Sequence, residues 1–318
     1  MNFIRKEQLL QDLLLVDGVG RSGKVMLAEI LTCLDRVQKQ EYHEFLEYIP
    51  LAYKYGKIEK DMAISILRTQ MDTELYNGMI GRKVNTRPTD YTSIYKYHSP
   101  EVYLERQVMM DGPVVSERVI NESPIYMCWC HDLIQKSEII FDAFEDKVKV
   151  VYINRRPIDI IYEWNVKGFG DRVGLDPTEM QYLLDFNGKA VPEQAIGWES
   201  EYLEMNPFER VVKMIHTSFK RNYEALMQSD KNSVMIVNFE SLVTEPESTV
   251  AQLSNFLNSK PKAMMKNILE RENCPRVLEE EVFSNRRNEI MNLISEDSLN
   301  YLEELDFYYL EISKLSES

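Results

Sequence analysis

The apolar positions of this chain fall into short unbroken runs separated by longer stretches of helical period. Residues 13–16 read Leu-Leu-Leu-Val, residues 150–153 Val-Val-Tyr-Ile, and residues 234–237 Val-Met-Ile-Val. Runs that are apolar at every position predict parallel strands covered on both faces. Residues 112–119 (Gly-Pro-Val-Val-Ser-Glu-Arg-Val) read as a further short strand, closed by the polar turn at 121–124. Helical spacing predicts helices from 24 to about 40, over 125–144, from 207 to 228 and from 240 to 257. The acidic stretch from about Ser295 on, with leucines and tyrosines at helical spacing, predicts a terminal helix. Repeated strand–helix alternation predicts an α/β fold: a three-layer α/β/α sandwich around a central parallel sheet of about four or five strands. The strands are expected near 13–17, 113–118, 148–154 and 234–239.

Two segments interrupt the alternation. Residues 41–110 are rich in tyrosine and broken by Pro50, Pro88 and Pro100, and they predict a helical insert over the mouth of the sheet. Residues 165–205 are rich in glycine and read as an irregular loop insert. One domain spanning 1–318 accommodates both.

The stretch from Gly18 to Lys24 carries the densest chemistry. Strand, glycine turn and helix together aim backbone N–H groups and a helix N-terminus at an anion. Gly18, Gly20 and Gly23 are expected to supply positive φ and close backbone approach. Arg21 and Lys24 add cations at the same mouth. An ordinary strand-to-helix turn needs one glycine rather than three. The expected architecture is therefore P-loop NTPase-like, with ligands beyond the C-terminal ends of the strands. The run ending at Asn154 is followed by Arg155, Arg156 and Pro157. Pro157 suits the first helical position, and Asp159 suits the first turn.

Composition narrows the partners. A net charge of −15 over 318 residues disfavours nucleic acid and anionic membranes, both of which need a basic surface. A small anionic ligand needs only local cations. Cys33, Cys128, Cys130 and Cys274 lack metal-ligand spacing, so no metal is expected and buried, reduced thiols are. No signal-peptide pattern precedes the first strand and no apolar run reaches membrane-spanning length, which predicts a cytoplasmic protein without a membrane span.

Three segments together carry a family likeness: Gly18-Val19-Gly20-Arg21-Ser22-Gly23, then Val150 to Asp159, then Val237 to Glu247. In this order and spacing, over about residues 10–260, the chain resembles the sulfotransferases that use 3′-phosphoadenosine-5′-phosphosulfate (PAPS). The resemblance implies transfer of a sulfuryl group to a hydroxyl or amine of a small-molecule or carbohydrate acceptor. It implies that Gly20, Arg21, Ser22, Gly23, Lys24 and Val25 hold the 5′-phosphosulfate and that Arg155 begins the 3′-phosphate site. Lys24 and Val25 stand where the family has two threonines. Glu163 stands where it commonly has a serine, and a carboxylate beside a phosphate repels unless a cation bridges it. Arg286 and Arg287 are the candidates for the late basic segment that closes over the nucleotide, and for that bridge. Lys24 and Arg21 suit charge stabilisation. Glu122, read as the end of the second strand, and His131, read on the following helix, are the candidate bases, with His98 behind them. Glu122 reads equally as a helix cap and His131 as a plain helix-face residue.

Two other readings stay open. Gly18-x-x-x-x-Gly23-Lys24 is also the spacing of a P-loop kinase or NTPase, although Val25 replaces the hydroxyl that ligates Mg²⁺. A non-catalytic nucleotide-binding relative fits the departures at Val25 and Glu163.

Overall fold

In the computed structural model of the chain, residues 1–316 are described. The strands are β1 (Asp12–Asp17), β2 (Ile125–Trp129), β3 (Val148–Asn154), β4 (Leu183–Phe186), β5 (Lys189–Pro192) and β6 (Val234–Asn238). The helices up to the third strand are α1 (Lys24–Leu31), α2 (Phe45–Lys54), α3 (Lys60–Met79), α4 (Pro100–Arg106), α5 (Val114–Glu122) and α6 (Glu138–Phe144). Beyond it come α7 (Pro157–Val166), α8 (Phe169–Arg172), α9 (Glu199–Glu204), α10 (Pro207–Leu226), α11 (Phe239–Thr244) and α12 (Pro246–Leu257). The last three are α13 (Met265–Arg271), α14 (Glu280–Met291) and α15 (Glu296–Leu315).

The central sheet has the order β2-β1-β3-β6, and every pairing is parallel. Side chains alternate between its faces, and the two faces bury separate cores. Leu13, Leu15, Val150 and Tyr152 pack against α3, α6, α7, α10 and α15. Leu14, Val16, Val151 and Ile153 pack beneath α1, α11, α12 and α13. This is the three-layer α/β/α arrangement, and its burial on both faces explains the unbroken apolar runs.

Four local expectations are corrected. Residues 113–118 are helix, not strand: in α5 the buried positions are Val115 and Val119, four apart, which is a helical stripe. The second strand is instead β2, where Ile125, Tyr126, Met127 and Cys128 are all buried, and the expected helix over 125–144 is reduced to α6. α1 stops at Leu31 rather than near 40, and the chain runs back beside β2 through single bridges Val37–Ile125 and Glu41–Cys128. The helix expected over 240–257 is two, α11 and α12, split where Pro246 cannot donate to the preceding turn.

The segment 41–110 contains α2, α3 and α4. The segment 165–205 is more regular than its composition suggests. It contains α8, α9 and an antiparallel β4–β5 hairpin turning at Asn187-Gly188, both residues at positive φ. All four cysteines are free and buried. Among the described residues no helix is long and apolar enough to cross a membrane.

Candidate functional site

β1 delivers the chain to the C-terminal edge of the sheet at Asp17, and the loop 18–23 turns there into α1. The loop is packed tightly from three sides. A Cβ on Gly18 (φ 151°) would lie 2.7 Å from the Ile153 carbonyl oxygen, and one on Gly23 (φ 103°) would lie 2.6 Å from the Phe239 ring. At Gly20 the constraint is contact rather than φ: the Trp164 ring lies against it, and Trp164 Nε1 donates to its carbonyl at 2.9 Å. Arg21, not Gly20, takes the left-handed conformation, at φ 69°. Such a conformation costs a non-glycine residue energy and persists only where the surroundings enforce it.

Arg155 supplies part of that enforcement. It follows β3, and its Nη1 donates to the Arg21 carbonyl at 2.7 Å. Its guanidinium lies 4.5 Å from the centre of the Phe239 ring, and its Nε is buried with no protein partner. Burial pulls its pKa below the ordinary arginine value, against the pull of Asp159, Glu240 and Glu163. The Ser22 hydroxyl, inside the loop, is likewise buried without a protein partner. Lys24 folds back beneath the loop, donating to the carbonyls of Gly18 and Val19, each at 2.8 Å. Burial lowers its pKa, opposed by Asp17 and Asp132. Val25 lines the cavity and brings no hydroxyl to it.

Glu163 reaches the same mouth, on α7. Its partner is Arg21, at 2.6 Å, rather than Arg286 or Arg287. That hydrogen bond, outweighing partial burial, lowers the Glu163 pKa. Arg286 and Arg287, on α14, are committed elsewhere: Arg286 to Asp159, and Arg287 to Asp306 at 2.7 Å. Late in the chain, Arg271 lines the cavity beside the loop, and Arg276 approaches Phe239 and the first turn of α1. The Arg276 guanidinium lies 5.3 Å from the Phe239 ring, its Nη2 is 3.9 Å from the Met26 sulfur, and its Nε is buried without a protein partner. A lone arginine in the run Cys274-Pro275-Arg276 gave no basic cluster to mark it.

The candidate bases separate. Glu122 ends α5 and so precedes β2, at the opposite edge of the sheet, where it pairs with Arg106 at 2.7 Å. The turn at 121–124 therefore does not converge on the loop. His131 lies just beyond the C-terminal end of β2, on the same edge of the sheet as the loop. Glu47 of α2 accepts both the His131 backbone N–H and Nδ1, each at 2.9 Å. Burial would raise the Glu47 carboxyl, but contact with His131 and the charge of Lys136 outweigh it and hold it below the ordinary range. Glu47 is the partner that sequence spacing could not reveal, 84 residues away. His98 uses both ring nitrogens, on Ser99 Oγ and the Thr32 carbonyl, each at 2.9 Å.

Two cavities meet at His131. The larger, about 800 Å³, runs from Arg21, Lys24 and Arg155 past His131 to Gln40, Trp129 and Arg271. Cations outnumber carboxylates among its lining residues five to three, so it is locally basic in an acidic chain. The smaller, about 320 Å³, carries aromatic rings at Tyr42, Tyr48, Trp164, Phe169 and Tyr182 and also includes Glu47. Another depression, along residues 134–146 and 225–233, lies on a different face and includes none of the loop. Asp17, at the end of β1, is no metal ligand: its two oxygens accept from the Leu133 and Ile134 amides at 3.0 and 2.7 Å. Among the described residues no group of three or more His, Cys, Asp or Glu side chains is placed to hold a metal.

The fold and the edge define a parallel α/β domain whose strand–loop–helix turn adjoins a His–Glu pair. No protein-family model matches the chain, and no curated protein matches its sequence. Among solved structures it is similar to a sulfotransferase domain from the curacin biosynthetic pathway, at 15% identity and a TM-score of 0.46, covering 80% of this chain and 77% of that one. It is also similar to a sulfotransferase from Alicyclobacillus acidocaldarius, at 13% identity and a TM-score of 0.40, covering 92% of this chain and 94% of that one. A third likeness is to the sulfotransferase domain of the Synechococcus PCC 7002 olefin synthase, at 11% identity and a TM-score of 0.42, covering 98% and 96%.

Proposed function

We propose that the chain is a sulfotransferase that takes a sulfuryl group from PAPS and passes it to a hydroxyl or amine of a small-molecule or carbohydrate acceptor. The observation that carries this reading is the placement of His131, paired with Glu47, in the wall of the same cavity as the 18–23 loop. Three buried polar atoms without protein partners, Ser22 Oγ in the loop and the Nε atoms of Arg155 and Arg276, whose guanidiniums both lie against Phe239, suit a bound polyanion. The loop amides with Arg21, Ser22, Gly23 and Lys24 would hold the 5′ end. Arg155 and Arg276 would hold the 3′-phosphate, in place of Arg286 and Arg287.

PAPS supplies an activated sulfur bonded to a phosphate oxygen. His131 takes the proton of the acceptor hydroxyl, whose oxygen forms a bond to sulfur as the bond from sulfur to the bridging oxygen breaks. The bridging oxygen leaves with the electron pair, and the loop amides and cations stabilise the charge that develops on it. Glu47 fixes the imidazole through Nδ1, leaving Nε2 for the acceptor proton, and stabilises the imidazolium that forms. Lys24, bonded to two carbonyls of its own loop, keeps the loop in shape and contributes its charge from beneath.

Titration calorimetry with the bisphosphate product of PAPS, with ATP and Mg²⁺, and with ATP alone tests the reading. Binding of the bisphosphate without a divalent metal is expected. Mg²⁺-dependent ATP binding with no response to the bisphosphate would assign the site to a kinase or NTPase instead. Response to neither would leave no nucleotide function at this loop.

A further inference from the structure

The half of the larger cavity beyond His131 is built for a ligand that the phosphate loop does not explain. Gln40 is 3% exposed and lines this half. Its Nε2 donates to Glu29 at 2.9 Å, while its Oε1 is buried without a protein partner. Trp129 lines the same cavity, and its indole Nε1 is also buried without one. The two residues come together because the 37–41 segment pairs with β2: the Trp129 amide donates to the Glu41 carbonyl at 3.0 Å. Tyr42 stacks on the indole at 4.4 Å and fixes its plane.

A buried carbonyl and a buried N–H, each unmet by protein, cost free energy unless something occupies them. Neither is charged, and the nearby Glu29 is neutralised by Arg271. The matching group is therefore neutral and able both to donate and to accept. A carboxamide meets this demand, its N–H toward Gln40 and its C=O toward the indole. The exposed rings of Tyr91 and Tyr95 line the same half and offer apolar faces to a ring. The indole and the His131 imidazole are only 5.5 Å apart between centroids, so a group held at Trp129 lies beside whatever oxygen His131 deprotonates.

We propose that Gln40 and Trp129 form a carboxamide subsite and that the acceptor carries a neutral amide next to its reacting hydroxyl, as in an N-acylated amino sugar. The assignment of this ligand as the acceptor rests on the sulfotransferase reading; the subsite itself does not.

The test compares methyl 2-acetamido-2-deoxyglucoside with methyl glucoside, which differ only in an acetamide replacing one hydroxyl. Binding is measured by saturation-transfer NMR titration on the full chain without nucleotide. The acetamide should bind about three- to tenfold more tightly. Trp129→Phe keeps an aromatic ring against Tyr42 but removes the N–H together with part of the indole, and it should erase that preference by weakening the acetamide more than methyl glucoside. Gln40→Met should act the same way, and thermal melts report whether each variant folds. Equal binding of the two glycosides by the wild type, no binding of either, or an equal loss for both in Trp129→Phe would overturn the subsite. Amide preference in a protein that ignores the bisphosphate would keep the subsite and sink the sulfotransferase reading instead.

Discussion

Two arginine–glutamate pairs stand at opposite edges of the same sheet, and they differ in what else each arginine does. At the rear edge, Arg106 is 4% exposed and bonds Glu122 at 2.7 Å, Gln38 Oε1 at 2.8 Å and the Gly78 carbonyl at 3.3 Å. It also lies over the Tyr103 ring. Its donors are spent on joining α3, α5 and the 37–41 segment. At the edge that carries the 18–23 loop, Arg21 is 43% exposed, bonds Glu163 at 2.6 Å and lines a basic cavity. A charge pair by itself therefore says little about function. What separates the two is whether the cation keeps donors that face open space.

Four measurements test this contrast. The largest effect is expected for His131→Ala, which should lower turnover by about 10²–10⁴-fold while leaving bisphosphate affinity nearly unchanged. Glu122→Gln, at the rear edge, should leave turnover as it is. A deep loss of turnover in Glu122→Gln would collapse the distinction between the edges.

Asp17 comes next, because it lies fully buried under the loop. Burial, helped by the charge of Asp132, pushes its carboxyl up to about 6 from 3.8. The folded state therefore holds a proton that the unfolded chain has released between about pH 4 and 6. Stability from this group is present below that window and is lost as pH rises through it, by about 2–3 kcal/mol. Denaturant unfolding of wild type and Asp17→Asn across pH 4–7 should diverge by that amount. Parallel curves would show that Asp17 does not titrate there.

Arg155 and Arg106 make a contrasting pair. Arg155→Ala should cost about 1.5–3 kcal/mol of bisphosphate binding, a tenfold or greater loss by calorimetry, with a smaller fall in melting temperature than Arg106→Ala because it also frees the Arg21 carbonyl. Arg106→Ala should destabilise the fold by about 1–3 kcal/mol and spare affinity. The smallest effect belongs to Glu163→Ser. An exposed pair is worth about 0–1 kcal/mol, so bisphosphate affinity should move by less than about fivefold. A marked tightening would mean that the carboxylate repels the ligand directly.

Three of the four sheet strands, at 13–17, 148–154 and 234–239, and their two-sided burial were legible because an unbroken apolar run has few uses besides a strand covered on both faces. The 112–119 segment misled because Val114 and Val115 look β-prone, whereas their burial pattern is set by a neighbour, α3, that no local window contains. His131 lies on no helix, contrary to the expectation; following Trp129 at the end of a strand is what places it on the same edge as the 18–23 loop. Glu47 and Arg276 were not legible, since each meets its partner only through the fold. Asn187-Gly188, by contrast, was a local turn signal hidden by the glycine-rich composition around it.

The early end of α1 has a consequence for the chain's behaviour in a crowded solution. A four-stranded open sheet has two free margins, and a bare strand invites pairing with another chain. Because α1 stops at Leu31, residues 37–41 are released to run along β2: the Ile125 amide donates to the Arg36 carbonyl, the Gln38 amide to the Ile125 carbonyl and the Glu41 amide to the Met127 carbonyl. With the Trp129 amide bonded to the Glu41 carbonyl as well, four outward-facing groups of β2 that would template aggregation are occupied by the chain's own backbone. Had the helix continued to Gln40 as its spacing suggests, that margin would stand open.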